Sequence, residues 1–154
     1  MDIPICRENS QERTITLKRT GKAHWAGNLK EGKGTLTTQS LVLENAKYSF
    51  KTRFEDSEKG TNPEELLAAA HAGCFTMAVA SILTQKGIVP GSLDTEATVL
   101  MEGSTITGVH LSIAGSVSGM NAIDFVAVTK DAEANCLISK VLRIPISSEA
   151  HLIA

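Results

Sequence analysis

From Leu66 to Leu83 the chain carries no charged side chain, and His71 is the one strongly polar residue in the run. The signals on either side are those of a helix. Asn62 suits the N-cap, Pro63 suits the first helical position, and Glu65 stands three residues after Asn62 as in a capping box. At the other end Lys86 complements the negative pole and Gly87 suits a left-handed C-cap. A helix apolar all round has no solvent face, so the pattern predicts one buried on nearly all sides. Ahead of it, Tyr48, Phe50, Thr52 and Phe54 alternate with Ser49, Lys51 and Arg53, which predicts a strand over 48–54 with one face in the core. Thr14 to Leu17, continuing through Lys22 to Trp25, predicts an earlier strand. The turn Gly27 to Gly34 separates it from a third strand-prone stretch, Thr35 to Thr38.

Beyond the long helix, Val89-Pro90-Gly91 breaks the chain. Leu93 to Met101 and Val109 to Val117 are strand-prone and flank a turn within Gly103 to Gly108, which predicts a hairpin or adjacent strand pair. Asn121 to Ala134 returns to helical spacing, with Ile123, Val126, Ala127 and Ala134 on one side and Lys130, Asp131 and Glu133 on another. Asn135 then offers an N-cap for a second short helix, CLISKVLR, and Ile144 to Ile153 closes the chain as a strand. Strands, long helix, strands, helices, strand: this order predicts an α+β fold with a mostly antiparallel sheet.

Composition narrows the function classes. The 154 residues fit one domain, and 42% apolar with 21% charged side chains is ordinary for a globular protein. A net charge of −2 gives no electrostatic footprint for nucleic acid. The uncharged run is rich in Ala, Gly, Ser and Thr and lacks basic or aromatic flanks, so no membrane span is expected. The opening stretch MDIPICRENSQERT has no apolar core of signal-peptide length, and a cytoplasmic location is expected. In that compartment Cys6, Cys74 and Cys136 are not a disulfide framework, and they form no CxxC or zinc-site spacing. Cys6 lies in a polar arm over 1–14 and is read as incidental.

Cys74 lies in the middle of the long helix, flanked by Ala and Gly. Its own helix offers no dipole help, so reactivity there needs a cation brought from elsewhere. Arg53, on the polar face of the preceding strand, is the best candidate. Cys136 follows Asn135 and falls in the first turn of the short helix, where the dipole and free N–H groups favour thiolate. Residues alone therefore make Cys136 the more acidic thiol. Glu64 stands in the first turn of the long helix, about 15 Å along its axis from Cys74. An arginine paired with Glu64 and leaning on Cys74 connects the two. His71, one turn before Cys74, is read as a packed histidine or a base. Phe75 and Met77 are read as core packing or as the wall of an apolar pocket.

The run TNPEELLAAAHAGCFTMA, with FKTRFE before it and NCLIS some sixty residues on, resembles the OsmC/Ohr family of osmotically inducible and organic hydroperoxide resistance proteins. HWAGNLKEGKGT places it nearer the OsmC branch. The resemblance covers about residues 21–154 and leaves 1–20 as an N-terminal extension. It implies an OsmC-like intertwined homodimer with mostly antiparallel sheets around a long buried central helix, and active sites at the subunit interface. It also implies a thiol peroxidase that reduces organic hydroperoxides, and hydrogen peroxide more weakly. By position Cys74 matches the attacking cysteine, Cys136 the resolving one, and Arg53 and Glu64 the residues that hold and activate the thiolate. No prosthetic group or metal is implied, only an external dithiol reductant, for which a lipoyl-type dithiol is the candidate. The family usually has Pro after the resolving cysteine, and here the residue is Leu137. A redox sensor using the same cysteines and an apolar-ligand carrier without turnover are the rival readings.

Overall fold

In the computed structural model, residues 16–55 and 57–153 are described. Cys6, the whole of the predicted arm over 1–14 and the start of the predicted 14–17 strand lie outside them. Two three-stranded sheets and four helices follow one another in the predicted order. Sheet A joins β1 (Gly21–Ala26), β2 (Lys33–Thr38) and β3 (Ala46–Ser49) as an antiparallel meander. Residues 16–20 are not strand, so the first strand begins later than expected.

The predicted strand 48–54 is corrected. It ends at Ser49, and Phe50–Phe54 forms a helical turn, α1. Ser49 and Thr52 make a reciprocal capping box: the Thr52 N–H donates to Ser49 Oγ and the Ser49 N–H to Thr52 Oγ1. Phe50 and Phe54 satisfy both periods, because residues four apart share a face of a strand and also lie about one turn apart on a helix. Their rings sit 4.8 Å apart, centre to centre. Over seven residues the pattern alone does not separate the two structures. Arg53 therefore projects from a helical turn, not from a strand face.

The long helix α2 runs Pro63–Gln85. The Glu65 N–H donates to the Asn62 side chain, as predicted, but the Glu65 carboxylate accepts from Thr61 Oγ1 and does not close a capping box. Gly87 at φ +73° ends the helix. Its N–H bonds the Thr84 carbonyl while the Ile88 N–H bonds that of Leu83, the two bonds of a Schellman motif.

Sheet B pairs β4 (Ser92–Glu102) antiparallel with β5 (Thr105–Ser116), the predicted hairpin. β6 (Ile146–Ile153) adds parallel to β5, because the chain crosses over through α3 (Ala122–Asn135) and α4 (Leu137–Val141). The core lies between this sheet and the helices. α2 contributes His71, Phe75, Val79 and Leu83 at four-residue spacing; β5 contributes Val109, Leu111 and Ile113; α3 contributes Phe125, Val128 and Ala132.

This cover reaches only one face of α2. Met77 is 75% exposed, and Ala69, Ala70, Gly73 and Ser81 are open with it, so a single chain does not bury the helix on all sides. Sheet A contributes no residue to the core cluster. Both facts leave apolar surface without a partner among the described residues.

Gly115 on β5 lies directly beneath the Phe125 ring, where a Cβ would overlap the ring edge. Phe125 is fully buried and Leu93 closes in from β4, so Gly115→Ala is expected to cost about 1–3 kcal/mol by overpacking. The urea midpoint measures it, and Gly21→Ala, at an exposed position with nothing near its Cβ, is the control.

Candidate active site: a thiol pair and an arginine–glutamate pair

The structure brings the two candidate cysteines together. Cys74 Sγ and Cys136 Sγ are 3.0 Å apart, both as free thiols sharing a hydrogen bond. α2 presents Cys74 one position before the core residue Phe75, so its side chain falls at the edge of the buried stripe. The α3–α4 junction brings Cys136 across to it. Cys136 is 1% exposed, whereas Cys74 is half-buried, so Cys74 is the thiol that solvent and small molecules reach.

Asn135 does not cap α4, as the sequence predicts. It is the last residue of α3, and its side chain bonds back to Asp131. Cys136 itself occupies the N-cap position, with φ −56° and ψ 133°. The predicted consequence survives the change of residue, since the free N–H groups of a helix start still face the thiol. Burial works against a Cys136 thiolate, but the hydrogen bond with Cys74 and the N–H groups of Ser139 and Ile138 outweigh it and hold its pKa below the ordinary thiol value. Cys74 is pushed up, first by burial and then by its hydrogen bond with Cys136. The N–H groups of Ile138 and Leu137 oppose that rise.

Arg53 and Glu64 also meet, at the far end of α2. Arg53 Nε lies 2.9 and 3.1 Å from the two Glu64 carboxylate oxygens, and Nη2 contacts Oε1 at 2.5 Å. This is fork-on-carboxylate geometry. Glu64 is 11% exposed in its side chain and Arg53 40%. The guanidinium carbon stands 5.1 Å above the Phe54 ring. The expected contact between this arginine and Cys74 is absent among the described residues of one chain: the hydrogen bonds of Arg53 go to Glu64. The reason is the rise of the helix, which sets Glu64 and Cys74 about 15 Å apart.

Beside Arg53 opens a cleft of about 270 Å³, walled by Trp25, Leu29, Tyr48, Phe50 and Phe54. The ring of Trp25 tilts against that of Tyr48 at 5.4 Å. This apolar cleft, and not Phe75 or Met77, is the greasy surface near the charged pair. Phe75 is wholly inside the core and Met77 stands on the open face of α2. The signal that points to the cleft is the clustering of aromatic residues around Arg53, with Trp25 supplied from the next strand but one. His71 is buried, with Nε2 2.8 Å from Ser139 Oγ. Among the described residues no three His, Cys, Asp or Glu side chains converge as a metal would require.

Known proteins share this arrangement of elements. The family model described as OsmC-like protein matches residues 55–150. Peroxiredoxin OsmC of Escherichia coli (strain K12) is 44% identical over 142 residues, spanning 90% of this chain and 99% of that protein. Among solved structures, an OsmC-like protein of Vibrio cholerae superposes with a TM-score of 0.70 at 17% identity, covering 88% of this chain and 99% of its own. An organic hydroperoxide resistance protein OsmC of Legionella pneumophila gives 0.66 at 18% identity, covering 91% and 99%. At these identities the two structures speak to the fold alone.

Leu137 occupies the first position of α4, where proline is well tolerated because no helical bond uses that N–H. Leu137→Pro is therefore expected to keep the helix and remove one N–H from the Cys74 sulfur. In a Cys136→Ser background, Cys74 should react with iodoacetamide about three- to tenfold more slowly, the size expected for one hydrogen bond to a charged sulfur.

Proposed function

The chain belongs to the OsmC-like family, and on that premise we propose that it is a thiol-dependent peroxidase that reduces organic hydroperoxides to alcohols. The observation that carries this reading is the 3.0 Å approach of an accessible thiol, Cys74, to a buried one, Cys136. The Cys74 thiolate attacks the distal peroxide oxygen. The O–O bond breaks, an alcohol leaves, and Cys74 becomes a sulfenic acid. Cys136 then displaces the hydroxyl to form the Cys74–Cys136 disulfide, and water is released. An external dithiol of lipoyl type restores both thiols by exchange. The electrons come from that dithiol, and no prosthetic group takes part. A reducing cytoplasmic compartment suits the cycle.

Cys74 needs help to ionise, and Arg53 is the cation suited to give it. Because its own Arg53 is tied to Glu64 far along α2, the arginine beside each Cys74 comes from a second copy of the chain. A homodimer also answers the two unpartnered surfaces, the open apolar face of α2 and sheet A, which has no core of its own. Residues 21–154 form the dimerising domain in this reading. Glu64 holds the guanidinium in place, and the guanidinium lowers the Cys74 pKa and stabilises charge developing on the peroxide oxygens. The aromatic cleft next to Arg53 then receives the organic part of the substrate, favouring cumene hydroperoxide over hydrogen peroxide.

Turnover with excess dihydrolipoamide tests the assignment. Wild type should consume cumene hydroperoxide, Cys74→Ser should be inactive, and Cys136→Ser should stop after one equivalent. If Cys136→Ser is inactive and Cys74→Ser still reacts once, the two roles are exchanged. If no variant consumes peroxide with any dithiol, the peroxidase reading falls and a redox sensor or ligand carrier takes its place.

The origin of the arginine has its own test. Cys74→Ser and Arg53→Ala protomers, each inactive alone, are mixed and allowed to exchange. With Arg53 acting across the interface, one site in each mixed dimer is whole, and activity should recover to about a quarter of wild type. No recovery, with mixed dimers demonstrated by native mass spectrometry, places Arg53 and Cys74 of one chain in the same site.

A further inference from the structure

His71 is fully buried, one turn before Cys74 on α2, and the reaction just described assigns it no task. Its Nε2 lies 2.8 Å from Ser139 Oγ, and Ser139 is itself buried one turn past Cys136 on the inner side of α4. Two contacts therefore join the same two segments. Cys74 meets Cys136 at 3.0 Å, and His71 meets Ser139 three residues away along each segment. The order is reversed between them, so α4 runs antiparallel to α2 and the two contacts are successive rungs.

The second rung is what fixes α4. With five residues this helix is too short to hold its shape alone, and its N-cap makes no side-chain hydrogen bond. Leu137 and Val141 are 73% and 70% exposed, and Lys140 is open with them. Its inward side chains are Ile138, half-buried against the core, and Ser139. An apolar contact at Ile138 resists separation but is non-directional, so it leaves α4 free to turn. A hydrogen bond is directional and removes that freedom. Among the described residues, Ser139 to His71 is the one side-chain hydrogen bond from α4 to another element. It is also the only polar contact of the buried ring there, since His71 Nδ1 has no partner.

We propose that His71 and Ser139 are positioning residues for the thiol pair: their buried hydrogen bond docks α4 on α2 in the register that keeps Cys136 opposite Cys74. For the reaction it serves, the proposal rests on the peroxidase reading above. In that reaction the S–O bond of the Cys74 sulfenic acid breaks as the Cys136 sulfur forms the S–S bond. The hydroxyl leaves with the Cys136 proton as one water. Closure depends on how often the two sulfurs face each other, which is an effective concentration. An α4 free to turn carries Cys136 away for part of the time. The effect passes through the helix, not through a bond from His71 or Ser139 to either sulfur.

The test reads the pair directly in the full-length chain, with Cys6→Ser so that two thiols remain. The protein is equilibrated with mixtures of reduced and oxidised dithiothreitol. Intact mass after alkylation then gives the fraction that carries the Cys74–Cys136 disulfide. Ser139→Ala and His71→Leu should lower the effective concentration of the pair about three- to tenfold, the size of one neutral hydrogen bond. Ser139→Thr, which keeps the hydroxyl, and His71→Gln, which keeps a side-chain nitrogen at similar reach, should restore it. Val109→Ala, a core truncation on β5, is the control for stability alone. It should lower the urea midpoint and leave the thiol equilibrium in place, because a loss shared by both redox forms cancels. An unchanged equilibrium in Ser139→Ala, an equal shift in Val109→Ala, or failure of Ser139→Thr to restore it overturns the proposal. If a His71 variant does not fold, the Ser139 variants decide the question.

Failure of the peroxidase reading looks different: with cumene hydroperoxide, wild type then gives no dimedone adduct at Cys74, while the dithiothreitol equilibrium still reports the register contact. With that reading intact, one equivalent of cumene hydroperoxide should leave more dimedone-captured sulfenic acid in Ser139→Ala than in wild type or Ser139→Thr. Equal capture in all three overturns the place of the contact in the reaction.

Discussion

A helix of 23 residues, uncharged from Leu66 to Leu83, has to be covered, and much of this structure follows from how its faces are covered. Sheet B and α3 take one stripe, with Phe75, Val79 and Leu83 interlocking with Val109, Leu111, Ile113 and Phe125. Because α3 must lie on the same side, the chain leaves β5, crosses over, and returns as β6 parallel to it. Cys136 lies within that crossover, at the junction of α3 and α4. The packing that hides the helix is thus the packing that delivers a second thiol to Cys74.

The two chemical pairs illustrate opposite uses of burial. At the thiol pair, burial penalises charge on both sulfurs, and a helix start supplies N–H groups that offset it chiefly at Cys136. At the other end of α2, the Arg53–Glu64 fork keeps its charges partly wet and geometrically fixed. The middle of the helix provides a nucleophile without a cation, and its N-terminal end a cation without a nucleophile. A rigid helix holds them about 15 Å apart. In the proposed homodimer a second copy would cover the open face through Gly73 and Met77 and bring its own residues toward Cys74.

Legibility in the sequence followed the range of the interactions. The caps of α2 at Asn62 and Gly87 were readable because hydrogen bonds between residues two to five apart decide them. The strand assignment for 48–54 failed because Phe50 and Phe54 fit either period. A local capping box between Ser49 and Thr52, easily overlooked beside the aromatic alternation, decided for the helix. Asn135 failed as a cap for a similar reason: a longer α3 absorbed it, and Cys136 inherited the position.

By itself, the sequence determined the order of elements, the long uncharged helix and the residue types able to do thiol chemistry. Those properties depend on composition and short-range periodicity. The long TNPEELLAAAHAGCF run also marked the family before any contact was known. Only the tertiary structure decided that Cys74 and Cys136, 62 positions apart in sequence, lie in contact. It alone separated Arg53 from Cys74 within one chain, gathered Trp25, Tyr48 and Phe54 into a cleft, and aligned His71 with Ser139. Each of these is a long-range juxtaposition set by how α2, α3 and the sheets pack, and side-chain packing across elements leaves no period in the chain to be read.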